Sequence, residues 1–462
     1  MKNIKDLIKT DLDIDISSVE TNSKCVIQGS LFVAVNGFFI NHEEFIDDAV
    51  RRGASCIIVS EDYDKDISIP YIKVKNVNDV LFSILDKFYD NIFSKFYIVG
   101  ITGTDGKTTS AIIASKITDS AYIGTNGIYY KNYKFSTNNT TPDTVSLYKS
   151  FDKLYKLGAR RVIMEVSSEA LLHDRCHSIN FDIACLTNVS EDHLNIHKTL
   201  DNYIKCKESL FKKVKENGFS ILNSDSKYFD RFMSVSKGTI ITYGENNSDY
   251  NISNIDLNNN SFTISNKYNI KSNLPFKYNM YNICLAFIIG ILLKNNPNKL
   301  INSISKIKSI DGRTETLNFG QDYTIILDYA HTLNAIKNLV LSVKDKYKKV
   351  FVITGAAGGR EKEKRCKIGN FLLSNTYLTI FTMDDPRFES VDSIIDDMIS
   401  RSTSKNYLRI NDRKDAIYKG LSLCKKSDVI LIIGKGRDNY MYIEDKKIPY
   451  SDYDVIKNYF DK

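Results

Sequence analysis

The chain reads as an α/β protein of three domains. Three observations predict it. The length of 462 residues fits about three domains at roughly 150 residues each. An apolar run, KFYIVGI (95–101), leads into the glycine-bearing stretch GITGTDGKTTSA (100–111) and then a helix-like segment. A second series of alternating strand and helix patterns begins beyond residue 320. The expected divisions are 1–92, 93–314 and 315–462: a small N-terminal α/β domain, a central doubly wound, mostly parallel sheet, and a C-terminal Rossmann-like domain.

In chain order, SLFVAV (30–35), CIIVS (56–60) and YIKV (71–74) read as strands. Between the first two, EEFIDDAVRRGA places Phe45, Ile46, Ala49 and Val50 on one helical face. After the glycine loop, TTSAIIASKI is the helix that completes strand, loop and helix. RRVIMEV (160–166), FDIACLTNV (181–189) and GFSILN (218–223) continue the parallel pattern. The Asn-rich NIDLNNNSFTISNKYN (254–269) reads as a surface hairpin, and DGRTETLNFG (311–320) as a connector. YTIILDYA, KVFVITGA, LTIFTMDD and DVILIIGKG supply the strands of the last domain.

Composition excludes several classes. No apolar run reaches the ~18 residues needed to span a bilayer, and MKNIKDLIKTDLDIDISS mixes acids and bases where a signal peptide needs an apolar core. No membrane partner and a cytoplasmic location are expected. The eight cysteines are scattered without a Cys-x-x-Cys pair, which argues against a zinc ribbon or a disulfide framework. The net charge of +7 comes from lysines interleaved with acids. This favours small anionic substrates over nucleic acid.

The glycine loop is Gly103, Thr104, Asp105, Gly106, Lys107, Thr108 and Thr109. It is shorter than the generic phosphate loop, which wants glycine where Ile101 stands. Its chemistry is nonetheless that of phosphate binding. Glycines let backbone N–H groups approach phosphate oxygens, the helix N-terminus adds positive potential, the lysine reaches terminal phosphates and a hydroxyl binds Mg²⁺.

TGTDGKTT resembles the ATP loop of the Mur ligases, which extend the peptide of bacterial cell-wall precursors, and of the related folylpolyglutamate synthases. MEVSSEALLHDR (164–175), LTNVSEDHLNIH (186–197), YIKCKESLF (203–211), LPFKYNMYN (274–282), DGRTE (311–315) and LDYAHT (327–332) resemble the same family in the same order. TNSKCVIQGSLFVAVNG (21–37) resembles the uridine-nucleotide-binding start of the UDP-N-acetylmuramoyl-tripeptide synthetase branch. DDPRFE (384–389) and GKGRDNY (434–440) fit that branch as well.

The resemblance implies an ATP-dependent amide-forming ligase that adds a diamino acid to UDP-N-acetylmuramoyl-L-alanyl-D-glutamate through an acyl phosphate. ADP and phosphate are released, and a monomer is expected. Lys107 would neutralise the transferred phosphoryl group. Thr108, Glu165, His193 and Lys207 would serve Mg²⁺, Lys207 as a carbamate formed with CO₂, because an amine is a poor magnesium ligand and a carbamate supplies oxygens. Asn282, Arg313 and Asp328 would complete the ATP site on its adenine, phosphate and ribose sides.

For the acceptor, Thr21 and Ser23 are implied at the uridine end, with Asn139, Thr140, Thr141, Ser167, His173 and Arg175 along the path to the peptide carboxylate. For the added amino acid, Arg360, Asp384, Asp385, Pro386, Arg387, Gly434 and Asp438 are implied. Arg387 would grip the distal carboxylate that distinguishes meso-diaminopimelate from L-lysine. His197, four residues from His193, reads as structural, and Lys205 and Lys213 as surface lysines.

The chain departs from the family pattern at Glu169 (usually His), His173 (commonly Gln), Phe276 (commonly Gly), Asp385 (commonly Asn), Arg437 (usually His) and Asp438 (usually Glu). Phe276 predicts a shifted loop with nucleotide binding retained, and Asp385 could neutralise Arg387. Alternatives stay open at this point. They are the same ligase using L-lysine or another diamino acid, a related enzyme acting on a different carboxylate, a phosphate-loop kinase, and a non-catalytic nucleotide-binding regulator.

Overall fold

The computed structural model describes residues 1–35, 42–137 and 139–461. Asn36 and Gly37 of the TNSKCVIQGSLFVAVNG stretch and Asn138 beside the NTTP turn lie outside the described residues. The fold is α/β throughout, built on three main sheets.

The first is a parallel four-stranded sheet of Ser18–Glu20, Ser30–Val33, Ala54–Ser60 and Tyr71–Val74. The short helix Ile46–Arg51 packs on it through Ile46 and Ala49. Phe45 falls instead in the preceding 3₁₀ turn and is exposed, so the apolar face is shorter than the spacing predicts.

The central sheet has eleven strands. Tyr97–Thr102 lies in its middle, parallel to Arg161–Glu165 on one side and Phe181–Leu186 on the other. The chain leaves Tyr97–Thr102 for the helix Lys107–Thr118 on one side and later fills the other, so the crevice at this strand's carboxyl end is a topological switch point, where open α/β sheets bind ligands. Two helices buried nearly all round, Lys107–Thr118 and Lys277–Leu292, pack together beneath it, as all-round apolar helices must. The Asn-rich stretch does form antiparallel hairpins, but not merely surface ones. Tyr250–Asp256, Ser261–Ile264 and Tyr268–Lys271 form a meander that extends this sheet, and Phe262, Ile264 and Ile270 are buried. Alternation of these apolar residues with Asn hid their inward face.

The third sheet has six strands. Thr324–Asp328, Val429–Ile433, Val350–Thr354, Leu378–Phe381 and Tyr407–Arg409 are parallel, and Glu315–Leu317 pairs antiparallel at the edge. Its strand ends carry Asp328, Asp384–Arg387 and Gly434–Asp438 to one side. Among the described residues, no helix is long and apolar enough to cross a membrane.

Candidate active site

The glycine loop hangs from the exit of the neighbouring strand. Thr104 N–H donates to Asn188 O at 2.8 Å, Asp105 N–H to Asn188 Oδ1 at 3.0 Å, and Thr187 Oγ1 to Asp105 O at 2.7 Å. Gly103 is obligatory: with φ 145°, a Cβ there would stand 1.9 Å from Thr187 Oγ1. Lys107 donates to the carbonyls of Gly103 at 2.9 Å and Thr104 at 2.7 Å, curling over the loop it belongs to.

Glu165 ends its strand in register with Ile101 and is fully buried. Its carboxylate accepts from Tyr122 OH at 2.6 Å, Thr125 N at 2.9 Å and Thr108 Oγ1 at 2.8 Å. Thr108 Oγ1 in turn accepts from Arg313 Nη2 at 2.8 Å. Arg313, from the connector, stacks over Tyr329. An arginine, a hydroxyl and a carboxylate thus form one chain across the loop.

Lys207 is 1% exposed and donates to Gly103 O at 2.7 Å, its ammonium above the Tyr203 ring. Burial and the neighbouring Lys107 push it well below the usual lysine range. His193 has a left-handed backbone (φ 54°). Burial holds its imidazole down to about 3, against the pull of Asp192, so the ring is neutral. Its Nδ1 is buried without a hydrogen-bond partner and lies 3.5 Å from Glu169 Oε1.

These groups share one cavity of about 850 Å³. Thr104 to Thr109, Asn139, Thr140, Glu165, Ser167, Arg175, His193, Lys207, Asn282, Arg313 and Asp328 all contribute to its wall. Asn282 closes over the loop, its Oδ1 2.5 Å from where a Cβ on Gly106 would be. Asp328 accepts from Thr314 N at 2.5 Å and Ala330 N at 2.6 Å. Phe276 carries a positive φ of 78°, and its ring packs in the core between the third sheet and the helix Leu333–Lys344. Asn279 and Asn282 remain joined at 3.1 Å beyond it.

Thr141 is fully buried. Its hydroxyl braces Glu165 O and Ser167 N, so it supports the wall from behind. Arg175 donates to Thr141 O at 3.0 Å, and His173 ends the helix Ser168–Leu172 outside the cavity wall. Thr21 and Ser23 follow the strand Ser18–Glu20 in the first sheet, away from the cavity, with Ser23 hydrogen-bonded to Asp48. His197 is buried against Ser168 Oγ at 3.0 Å. Lys205 pairs with Asp201 on the surface, and Lys213 is tied to the Cys176 and His177 carbonyls.

The third sheet gathers the residues expected around the amino acid. Gly358 N–H donates to Asp385 O at 2.8 Å, setting the loop that leads to Arg360 against Pro386. Arg387 is exposed, its guanidinium over the Tyr442 ring. Asp438 hydrogen-bonds Tyr329, which lines the cavity, so Asp438 lies just behind the cavity wall. Sequence reasoning missed Lys435, inside GKGRDNY, which stands among Asp384, Asp385 and Asp438. It also missed the buried Arg413–Asp452 pair. The motif containing Lys435 was a signal; Arg413 had none.

The Mur ligase middle domain model matches residues 101–290, and the Mur ligase glutamate ligase domain model matches residues 312–436. A relative from Bacillus cereus, named UDP-N-acetylmuramoyl-L-alanyl-D-glutamate–2,6-diaminopimelate ligase, is 33% identical over 96% of this chain and 94% of its own length. The chain belongs to the Mur ligase family. It is accordingly an ATP-dependent ligase. Among solved structures, one titled with that same ligase name matches with TM-score 0.65 and 22% identity over 100% of this chain and 99% of its own. The MurF ligase from Thermotoga maritima in complex with ADP matches with TM-score 0.66 and 21% identity, over 90% and 93%. Both share the fold of this Mur ligase.

Proposed function

We propose that this Mur ligase adds meso-2,6-diaminopimelate to UDP-N-acetylmuramoyl-L-alanyl-D-glutamate, consuming ATP and releasing ADP and phosphate in peptidoglycan precursor synthesis. The observation that carries the reading is the convergence of Lys107, Arg313, Glu165, His193 and Lys207 on one cavity at the sheet's switch point. The name of the Bacillus cereus relative supports the choice of substrates. A cytoplasmic monomer fits the same reading.

A carboxylate is a poor electrophile. Phosphorylation by ATP turns the acceptor carboxylate into an acyl phosphate, and the amine of the incoming residue displaces phosphate. Lys107 and Arg313, which line the cavity, would neutralise charge on the transferred group, Lys107 by exchanging the loop carbonyls it now binds for phosphate oxygens. Thr108, Glu165 and His193 fit magnesium: a hydroxyl, a carboxylate and a neutral imidazole whose buried Nδ1 lacks a partner. These residues would hold magnesium, which would supply positive charge against the negative charge of the phosphates. No group of three His, Cys, Asp or Glu among the described residues makes a metal site alone. Burial and the neighbouring Lys107 lower the Lys207 pKa, which favours the uncharged amine that takes up CO₂, and its carbamate would add oxygens beside the loop.

The test is release of ADP and phosphate with the UDP-linked dipeptide and a panel of diamino acids. Turnover should require both substrates and be fastest with meso-diaminopimelate. A stable phosphorylated product formed without any amine would point to a kinase and defeat the reading.

A further inference from the structure

Lys435 is 1% exposed, and its ammonium lies 2.8 Å from Asp385 Oδ1, 3.6 Å from Asp384 Oδ1 and 3.9 Å from Asp438 Oδ2. Burial alone would lower it, but Asp384 and Asp385 hold its charge above the usual range. Asp385 Oδ1 also accepts from Tyr442 N–H at 3.0 Å, while Arg387 N–H donates to Tyr442 O at 3.2 Å. Asp385 and Arg387 therefore flank the same tyrosine. Among the described residues, Asp385 is ion-paired with Lys435, whereas Arg387 has no ion pair and is exposed.

We propose that Lys435 determines which diamino acid is added, by holding Asp385 so that Arg387 stays open to a carboxylate on the substrate. The proposal rests on the diaminopimelate reading above and deepens it. An arginine two residues from an uncompensated, partly buried carboxylate closes on it, because a guanidinium–carboxylate fork is among the strongest side-chain pairs and an unpaired buried charge is costly. Lys435 satisfies that carboxylate first. Remove its charge, and Asp385 captures Arg387. The pocket then presents Asp384 and Asp438 without an open cation, which suits the bare terminal ammonium of lysine and disfavours the ammonium–carboxylate end of diaminopimelate. The asparagine common at position 385 would need no such holding.

The test compares kcat/KM for meso-diaminopimelate and L-lysine, using the full chain with UDP-N-acetylmuramoyl-L-alanyl-D-glutamate. Lys435→Met, and the more polar Lys435→Gln should the first fold poorly, should cut the diaminopimelate-to-lysine ratio by at least about tenfold, the range a lost pocket contact gives. The change should appear in KM for the amino acid, with KM for ATP unmoved. Adding Asp385→Asn to Lys435→Met should restore the ratio, since asparagine cannot ion-pair with Arg387, and Lys435→Arg should preserve it. A folded neutral variant that keeps the wild-type ratio overturns the proposal, as does failure of Asp385→Asn to restore it. Wild-type enzyme inactive with every diamino acid overturns the ligase reading and this proposal together. A wild-type preference for diaminopimelate that survives loss of Lys435 overturns this proposal alone.

Discussion

Lys107 and Lys207, a hundred residues apart in sequence, share one acceptor: both donate to the Gly103 carbonyl, at 2.9 and 2.7 Å. Burial lowers both lysines, and the nearby charge of Lys107 also lowers Lys207 (1% exposed), which falls well below the usual range. A neutral amine is what CO₂ requires. Lys207→Ala is expected to lower turnover by at least about a hundredfold, at the upper end for lost metal-site support, with no loss of fold. Bicarbonate should not rescue it, and a ¹³C-carbamate NMR signal seen with labelled CO₂ in the wild type should vanish. Wild-type turnover in the variant would remove the carbamate from the mechanism.

Lys107→Ala separates the two substrates. The lysine belongs to the loop, whereas Thr21 and Ser23 follow the strand Ser18–Glu20 of the first sheet. Phosphoryl transfer should fall by about 10²–10³, as for removal of one charge-stabilising donor. Calorimetry should still find the UDP-linked acceptor bound with nearly wild-type affinity. Parallel loss of ATP and acceptor binding would contradict this division.

The glycine loop, and the gathering of Glu165, His193 and Lys207 around it, were legible because strand, loop and helix are contiguous and each motif reports local backbone. Contacts between distant segments were not. Asp192 meets Lys364 at 2.7 Å across 172 residues, and Thr332, capping the helix Leu333–Lys344, reaches Asp105 at 3.2 Å. Nothing in either local stretch announces such pairings. Phe276 shows the same limit: it reads as a disrupted glycine position, yet its ring fills a core built from residues 326 to 433. At position 385 the substitution raised the correct question, whether Asp385 neutralises Arg387. Lys435 supplies the answer, and only three dimensions put it there.

Arg413 and Asp452 are both fully buried and joined at 2.7 Å. Arg413 also donates to Met383 O at 3.2 Å and Ile433 O at 3.0 Å, one residue before Asp384 and Gly434 respectively. It therefore ties together the two loops that carry Asp384–Arg387 and Gly434–Asp438, the residues proposed to hold the amino acid. Arg413→Met should cost about 3–5 kcal/mol in urea unfolding, because Asp452 is left buried and uncompensated. Arg413→Met with Asp452→Leu should recover most of that stability while KM for the diamino acid stays raised. Recovery of both together would mean that the pair serves stability alone.

Burial pushes the Asp438 carboxyl up to about 6, against the pull of Lys435 and with the push of Asp384 and Asp385. The ionised form is the one that holds an ammonium. Below about pH 6 Asp438 takes up a proton, so log kcat/KM for the diamino acid should fall with a slope near one as pH drops, while binding of the acceptor is unaffected. At pH 6 amino-acid binding should release protons, since the ligand's ammonium stabilises the carboxylate. Asp438→Asn should flatten this acidic limb at a uniformly lower value. An unchanged limb in that variant would assign the titration to another group.

Arg387 tests the identity of the added residue directly. Its backbone sits at φ 53° and is pinned on both sides, N–H to Tyr442 O at 3.2 Å and carbonyl to Glu444 N–H at 2.9 Å, while the side chain is exposed above Tyr442. The backbone is therefore fixed and the guanidinium available. Diaminopimelate carries a distal carboxylate and lysine does not, so an open guanidinium gains two parallel bonds from the first and faces only a like charge with the second. Arg387→Ala should lower kcat/KM for meso-diaminopimelate by about 1.5–3 kcal/mol, the value of a lost charge-assisted hydrogen bond. Its kcat/KM for L-lysine should stay level or rise. Wild-type enzyme that uses both amino acids equally well, or an Arg387→Ala variant that loses both in proportion, would show that Arg387 does not read the distal carboxylate.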